Sequence, residues 1–356
     1  MARLDSFLRM VAEQGASDLH FHAGGVPLIR NDGDLIPLPF RTLSEFETRR
    51  FIVEILTPDQ SDTLASEQQV DFVYALPEVA RFRASVFVQS RGMGAVFRVI
   101  RNDVPTLEEL RLPRSIARFT QFRNGLVVVT GPTGAGKSTT LAAMIHEINR
   151  TQRRHIITIE DPIEYVHEGL LSAITHREVG THTQSFAAGL RAALRESPDV
   201  LVLGEMRDLE TVQLALQAAE TGVLVMATLH TNSAAKAMDR ILDVVPEESR
   251  EQARGTLSLV LRGVIAQRLA SLATGDGRIA VMEVLFSTWA IANMIRENKV
   301  HMIEAQLQST TDSSGSQGFD AALLGHVEEG LITPEEALQL ASHPEALKRH
   351  LSEAPD

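Results

Sequence analysis

Residues Gly131 to Thr139, GPTGAGKST, set three glycines ahead of a lysine and two hydroxyls. Gly131, Gly136, Lys137 and Ser138 fill the pattern G-x-x-x-x-G-K-[ST], and Pro132, Thr133, Gly134, Ala135 and Thr139 complete the loop. Such a run serves phosphate chemistry. Glycines let backbone N–H groups close around phosphate oxygens, and a following helix N-terminus favours anions. Lys137 then reaches the terminal phosphates, and Ser138 ligates Mg²⁺. The apolar run LVVVT precedes the loop and KSTTLAAMIHEI, at helical spacing, follows it. That strand–loop–helix context favours a nucleoside triphosphate site over a glycine-rich turn that only caps a helix. A nucleoside triphosphate with Mg²⁺ is the expected ligand.

Carboxylates gather at two further places. TIEDPIEYVHEG puts Glu160, Asp161 and Glu164 around Pro162, directly after the apolar run HIITI. Crowded acids at a strand end either hold a cation or activate water. Glu164, beyond the proline, can lean over a terminal phosphate, whereas Glu160 and Asp161 suit capping, pairing with bases or supporting a metal. Spacing alone leaves the three unranked. DVLVLGEMRD ends a second apolar run at Glu205, where an acid can reach Mg²⁺ directly or through water. The alternative for Glu205 is a pair with Arg207 or a cap on the next helix. A third run, VLVMATLH, ends at His230, which could sense a terminal phosphate or simply be a packed imidazole.

These groups need a scaffold that brings strand ends together. From about residue 114, the continuous apolar runs LVVVTG, HIITIED, DVLVLGE, VLVMATLH and RIAVMEVLF alternate with helical segments. That pattern predicts a parallel sheet covered on both faces, with its ligand crevice at the strand C-termini. Residues 1 to about 102 differ. VDFVYAL, ARFRASVFVQ and GAVFRVI alternate at period two, and Asn31-Asp32-Gly33 is turn chemistry, so an antiparallel sheet with helices is expected. Residues 103–113, with two prolines, read as a linker. After residue 300 the chain reads as helical, interrupted by the loop-like STTDSSGSQGF.

Composition sets outer bounds. No cysteine is present, which excludes disulfides and thiolate metal sites. A formal net charge of -12 argues against a nucleic-acid groove, and no apolar run approaches the length of a membrane span. About seven of those excess charges fall between Thr310 and Asp356, where nine acids face Lys348 and Arg349. A cytoplasmic location follows as the default.

Taken in order, GPTGAGKSTT, TIEDPIEYVH, ALRESPDVLVLGEMRDLET and AAETGVLVMATLHTNSA resemble the secretion ATPases of the type II/type IV pilus superfamily, most of all its PilT-like pilus retraction ATPases. The resemblance extends to QGASDLHFHAGGVPLIRNDGDL, AIANMIRENK and GLITPEEAL, and so covers nearly the whole chain. It implies an α/β protein with a PAS-like N-terminal domain (1–102), a RecA-like ATPase domain (114–300) and a C-terminal helical region (301–356). It implies a homo-hexamer hydrolysing ATP between subunits at the cytoplasmic face of the inner membrane. The partners it implies are a platform protein and a paralogous retraction ATPase. It ranks Glu164 as the base for water and aligns Glu205 with the Walker B glutamate. It also makes Arg83 and Arg98 candidates to reach the nucleotide.

Three positions depart from the family pattern. Val223 stands where a histidine is usual, Ala292 where the retraction-linked helix carries arginine, and SSGSQGFD lacks a methionine. These leave room for a PilU-like accessory ATPase or a divergent retraction ATPase. A type II/IV secretion ATPase is a separate alternative, and a non-hydrolysing ring scaffold is disfavoured by retention of Lys137, Ser138, Glu164 and Glu205. Assembly enzymes usually carry a four-cysteine zinc insertion, for which this chain has no residues.

Overall fold

A computed structural model describes residues 2–31, 34–100, 104–309 and 314–353. Contacts divide the chain into two compact units, Met1–Asp103 and Val104–Asp356. The expected turn centre, residues 32–33, and part of the expected loop, residues 310–313, lie outside the described residues.

The first unit holds α1 (Asp5–Glu13), β1 (Asp18–His22), β2 (Leu28–Asn31), β3 (Asp34–Pro37), α2 (Glu45–Val53), α3 (Pro58–Glu67), β4 (Gln69–Leu76), β5 (Ala80–Gln89) and β6 (Gly92–Ile100). Its strands form one antiparallel sheet in the order β3-β2-β1-β6-β5-β4. Period-two patterning decides which face is buried. Leu19 and Phe21, Phe82, Ala84 and Val86, and Ala95 and Phe97 point into one core with Leu4, Phe7, Leu8 and Val11 around α1. The alternate residues Asp18, Arg83, Arg98 and Arg30 fall opposite one another on neighbouring strands.

The second unit runs α4 (Ile116–Phe119), β7 (Gly125–Thr130), α5 (Lys137–Thr151), β8 (His155–Glu160), β9 (Ala173–Glu178), α6 (Phe186–Ala193), β10 (Val200–Leu203), α7 (Leu209–Glu220), β11 (Leu224–Leu229), α8 (Ala234–Asp243), α9 (Glu247–Val260), β12 (Leu261–Ser271) and β13 (Arg278–Phe286). Helices α10 (Trp289–Arg296), α11 (Ile303–Ser309), α12 (Phe319–Glu328), α13 (Pro334–Leu340) and α14 (Pro344–Glu353) follow. The sheet order is β13-β12-β7-β11-β10-β8-β9, parallel throughout except for β13. Every residue of β7, β10 and β11 is buried, as continuous apolar runs in a two-sided sheet require. Separate apolar layers cover the two faces. Helices α12 to α14 pack on the ends of β12 and β13 through Phe319, Leu323, Ala337 and Leu347. Leu107, Leu110 and Leu112, from the segment expected to link the domains, pack against the second unit.

Strands β9 and β12 carry no signal in the residue pattern. β12 follows α9 directly, Leu261 after Val260, and Leu261, Val264 and Ile265 continue the helical spacing of Leu257 and Val260. β9, which ends in THRE, is a polar edge strand.

Candidate active site

The register Thr130↔Leu229, Ala227↔Leu203, Leu203↔Ile159 aligns the C-terminal ends of β7, β11, β10 and β8. The chain therefore delivers the loop 131–136, His230, Glu205 and the segment from Glu160 to one edge of the sheet.

Within the loop, Gly136 has φ 82°, a left-handed conformation that glycine adopts without penalty, and it caps α5 with no side chain in the way. The first-turn amides of α5 have no intrahelical acceptor and are available to an anion. Lys137 is buried, and its ammonium donates to the carbonyls of Gly131 (2.8 Å) and Pro132 (3.0 Å). Burial lowers its pKa, an effect opposed by the carboxylates of Glu205 and Glu164.

Lys137 Nζ also lies 3.4 Å from His230 Nδ1, and His230 Nε2 lies 3.2 Å from Glu205 Oε2. An ammonium can only donate, so Nδ1 accepts and the imidazole carries its proton on Nε2, facing the carboxylate. His230 thus bridges the loop lysine and the β10 acid. Glu205 also accepts from Arg207 Nε at 2.6 Å, while Asp208 caps α7 in its place.

Beyond a cis Asp161–Pro162 bond, the segment carrying Glu164 is held by named contacts. Glu178, buried at the end of β9, accepts from Ile163 N–H and Thr181 Oγ1. His176 Nε2 accepts from His167 N–H at 3.1 Å, which places its proton on Nδ1 toward Thr158 Oγ1 (2.9 Å). Tyr165 OH meets Thr139 Oγ1 at 3.0 Å, tying this segment to the first turn of α5. Glu164 itself is exposed. Glu160 stays back, with its carboxylate 3.7 Å from His176 Nδ1, and lines a cavity of about 30 Å³ with Ser138, Tyr165, His167, Gly204 and Thr228.

Among the described residues no three His, Cys, Asp or Glu side chains form a metal cage. Oxygen donors are nevertheless present in Ser138, Glu205 and Glu160. That supply suits Mg²⁺, which keeps waters and takes phosphate oxygens for the rest of its shell.

The N-terminal arginines differ from each other. Arg98 Nε donates to buried Asp18 at 2.8 Å, whereas the exposed Arg83 side chain has no hydrogen bond or ion pair among the described residues. Val223 is buried before β11, at the opposite strand end from His230, so the histidine missing there is replaced by core packing. Ala292 is buried on α10. Residue spacing had not singled out Thr140, Tyr165, His176 or Gln267, whose roles come from neighbours distant in the chain.

Loop, lysine, acids and histidine on the C-terminal edge of a parallel sheet define a P-loop nucleotide-binding domain of RecA-like architecture. The profile of the family described as "Type II/IV secretion system protein" matches residues 2–339. The type IV pilus retraction ATPase PilT of Pseudomonas aeruginosa is 47% identical over 342 residues, covering 96% of this chain and 99% of its own. PilU, a type IV pilus ATPase of the same organism, is 40% identical over 344 residues, covering 97% of this chain and 90% of its own. A crystal structure of the pilus retraction motor PilT with bound ADP superposes with a TM-score of 0.90 at 43% identity, covering 98% of this chain and 99% of that one. The chain belongs to the type II/IV secretion system protein family.

Proposed function

We propose that the protein is a motor ATPase that hydrolyses ATP to power type IV pilus retraction and twitching motility. The observation that carries this reading is the Lys137–His230–Glu205 chain at the mouth of the phosphate loop, in a protein nearly half identical to PilT along almost its full length. The ADP held by the PilT crystal structure supports a nucleotide at this loop.

In this mechanism the phosphates take over the Lys137 protons now held by Gly131 and Pro132, and the α5 amides cradle them. Ser138 and Glu205 would hold Mg²⁺, and the bound ion would supply charge neutralisation at the terminal phosphates. Glu164, on its pinned segment, orients and deprotonates the attacking water. His230 reports the state of the terminal phosphate from Lys137 to Glu205. Arg83, from the N-terminal domain (1–102), completes the site between neighbouring subunits of a homo-hexamer, with Arg98 beside it. The ring works at the cytoplasmic face of the inner membrane against a platform protein, with a PilU-like paralogue as a second motor. No described helix is long and apolar enough to cross a membrane.

Steady-state turnover and nucleotide binding of the purified protein test the reading. Lys137→Ala should abolish productive binding. Glu164→Gln should bind ATP yet turn it over at least ~100-fold more slowly, the scale of a lost general base. Were Glu160→Gln the slow variant and Glu164→Gln near wild type, the base would be Glu160.

A further inference from the structure

The phosphate loop is bounded on one side by β12, a strand outside the motifs that define the site. Ala266 pairs with Thr130 at the end of β7, so the next residue, Gln267, stands beside the start of the loop. Its side chain is 2% exposed, and both ends of its amide are engaged. Nε2 donates to the carbonyl of Ala135 at 2.6 Å, and Oε1 accepts from Thr140 Oγ1 at 2.7 Å. One amide therefore joins the last carbonyl before Gly136 to the first full turn of α5. Its backbone also shapes the loop: a Cβ added to Gly131 would lie 2.2 Å from the Gln267 carbonyl oxygen, which requires glycine there.

We propose that Gln267 is a positioning residue for ATP binding and hydrolysis, setting the angle between the phosphate loop and α5 through its two amide contacts. This rests on the phosphate-loop reading above. A buried amide that bonded only for stability would need partners of any kind within its reach. This one spends both ends on the two segments whose amides must converge on the same phosphates. Without it, Ala135 and Thr140 keep their places only through backbone geometry, and the loop amides need not point at one centre. The carbonyls that hold Lys137 belong to the same loop, so the lysine's reach depends on the same brace.

The test compares Gln267→Met, which keeps volume but not hydrogen bonds, with Thr140→Val, which removes one of the two contacts. Ile265→Val serves as a control, shaving the same layer of β12 without touching the loop. KM and kcat for ATP, direct binding of a fluorescent ATP analogue, melting temperature and ring mass are measured for each. The expected result is a KM raised about 10-fold or more for Gln267→Met, a smaller rise for Thr140→Val, and a double variant no worse than Gln267→Met alone, since both break one bridge. Ile265→Val should lower the melting temperature and keep the wild-type KM. The proposal is overturned if Gln267→Met keeps KM and kcat within twofold of wild type, if Ile265→Val raises KM equally, or if the two variants multiply as independent sites. Should Gln267→Met fail to fold, a wild-type KM in Thr140→Val overturns the proposal and a raised KM supports it. Lys137→Ala in the same series separates the two levels. Wild-type turnover that is lost in Lys137→Ala but kept in Gln267→Met removes only the role of Gln267. Absence of nucleotide binding in the wild type removes the phosphate-loop reading and this role with it.

Discussion

At the scale of single residues, the site is a set of donors and acceptors whose partners can be assigned. His230 has a definite tautomer because one neighbour is an ammonium and the other a carboxylate. Its Nε2 proton holds Glu205, while Nδ1 faces the lysine that would meet the terminal phosphate. His230→Ala should therefore leave ATP binding within a few-fold of wild type and lower kcat about 10-fold or more, with Gln at this position recovering part of the loss. Single-turnover hydrolysis beside equilibrium binding checks this. Equal losses in binding and turnover would make the imidazole a packing group. The phosphate loop, Glu205 and His230 were legible in the sequence because each sits in a contiguous signature or at the end of an apolar run. Gln267 and His176 were not. A glutamine on a strand and a histidine on an edge strand acquire meaning only from the Ala135 carbonyl and the His167 amide, which the fold brings to them.

Elements decide what those residues can hold in place. The period-two runs of the first unit and the apolar runs of the second predicted their strands, because burial on one face or on both leaves a distinct pattern. β9 and β12 escaped notice for the opposite reason: one is a polar edge, and the other continues the spacing of α9. Yet β9 anchors the segment bearing Glu164, through His176 and Glu178. His167, on that segment, is buried, its Nδ1 has no hydrogen-bond partner among the described residues, and its ring stacks on His176 at 5.8 Å. Burial first, then the neighbouring imidazoles of His176 and His146, lowers its pKa to about 3. Below the ordinary value of 6.5 the unfolded chain binds a proton that the folded one refuses, so stability is full above pH 6.5 and declines toward about pH 3. At about 1.4 kcal/mol per pH unit, this ring alone should cost about 2 kcal/mol by pH 5. His167→Phe keeps the stacked ring and removes the titration. Its melting temperature should fall between pH 7 and pH 5 by roughly 5 °C less than that of the wild type, as scanning calorimetry would show. Parallel declines would mean that the imidazole takes up its proton without loss of structure.

For the whole molecule, the question is what the first unit contributes to hydrolysis. In the proposed site Lys137 and Mg²⁺ would face the phosphates from the second unit, while Arg207 is already paired with Glu205. Phosphoryl transfer gains from a further positive group that arrives with the transition state. The face of the first sheet opposite its core carries a row across four strands: Arg83, Arg98, Asp18 and Arg30. Asp18 anchors Arg98 through Nε, so that guanidinium is fixed and partly neutralised. Arg83 is exposed, with no hydrogen bond or ion pair among the described residues. In the proposed ring, Arg83→Glu should cut kcat at least 10-fold at an unchanged hexamer mass, with ATP binding per subunit retained. Arg98→Lys, which shortens a group already held by Asp18, should cost less. The contrast must depend on assembly. Diluted below the concentration at which light scattering shows a ring, wild type and Arg83→Glu should converge on the same low turnover. A defect of equal size in ring and monomer would place Arg83 outside any intersubunit role.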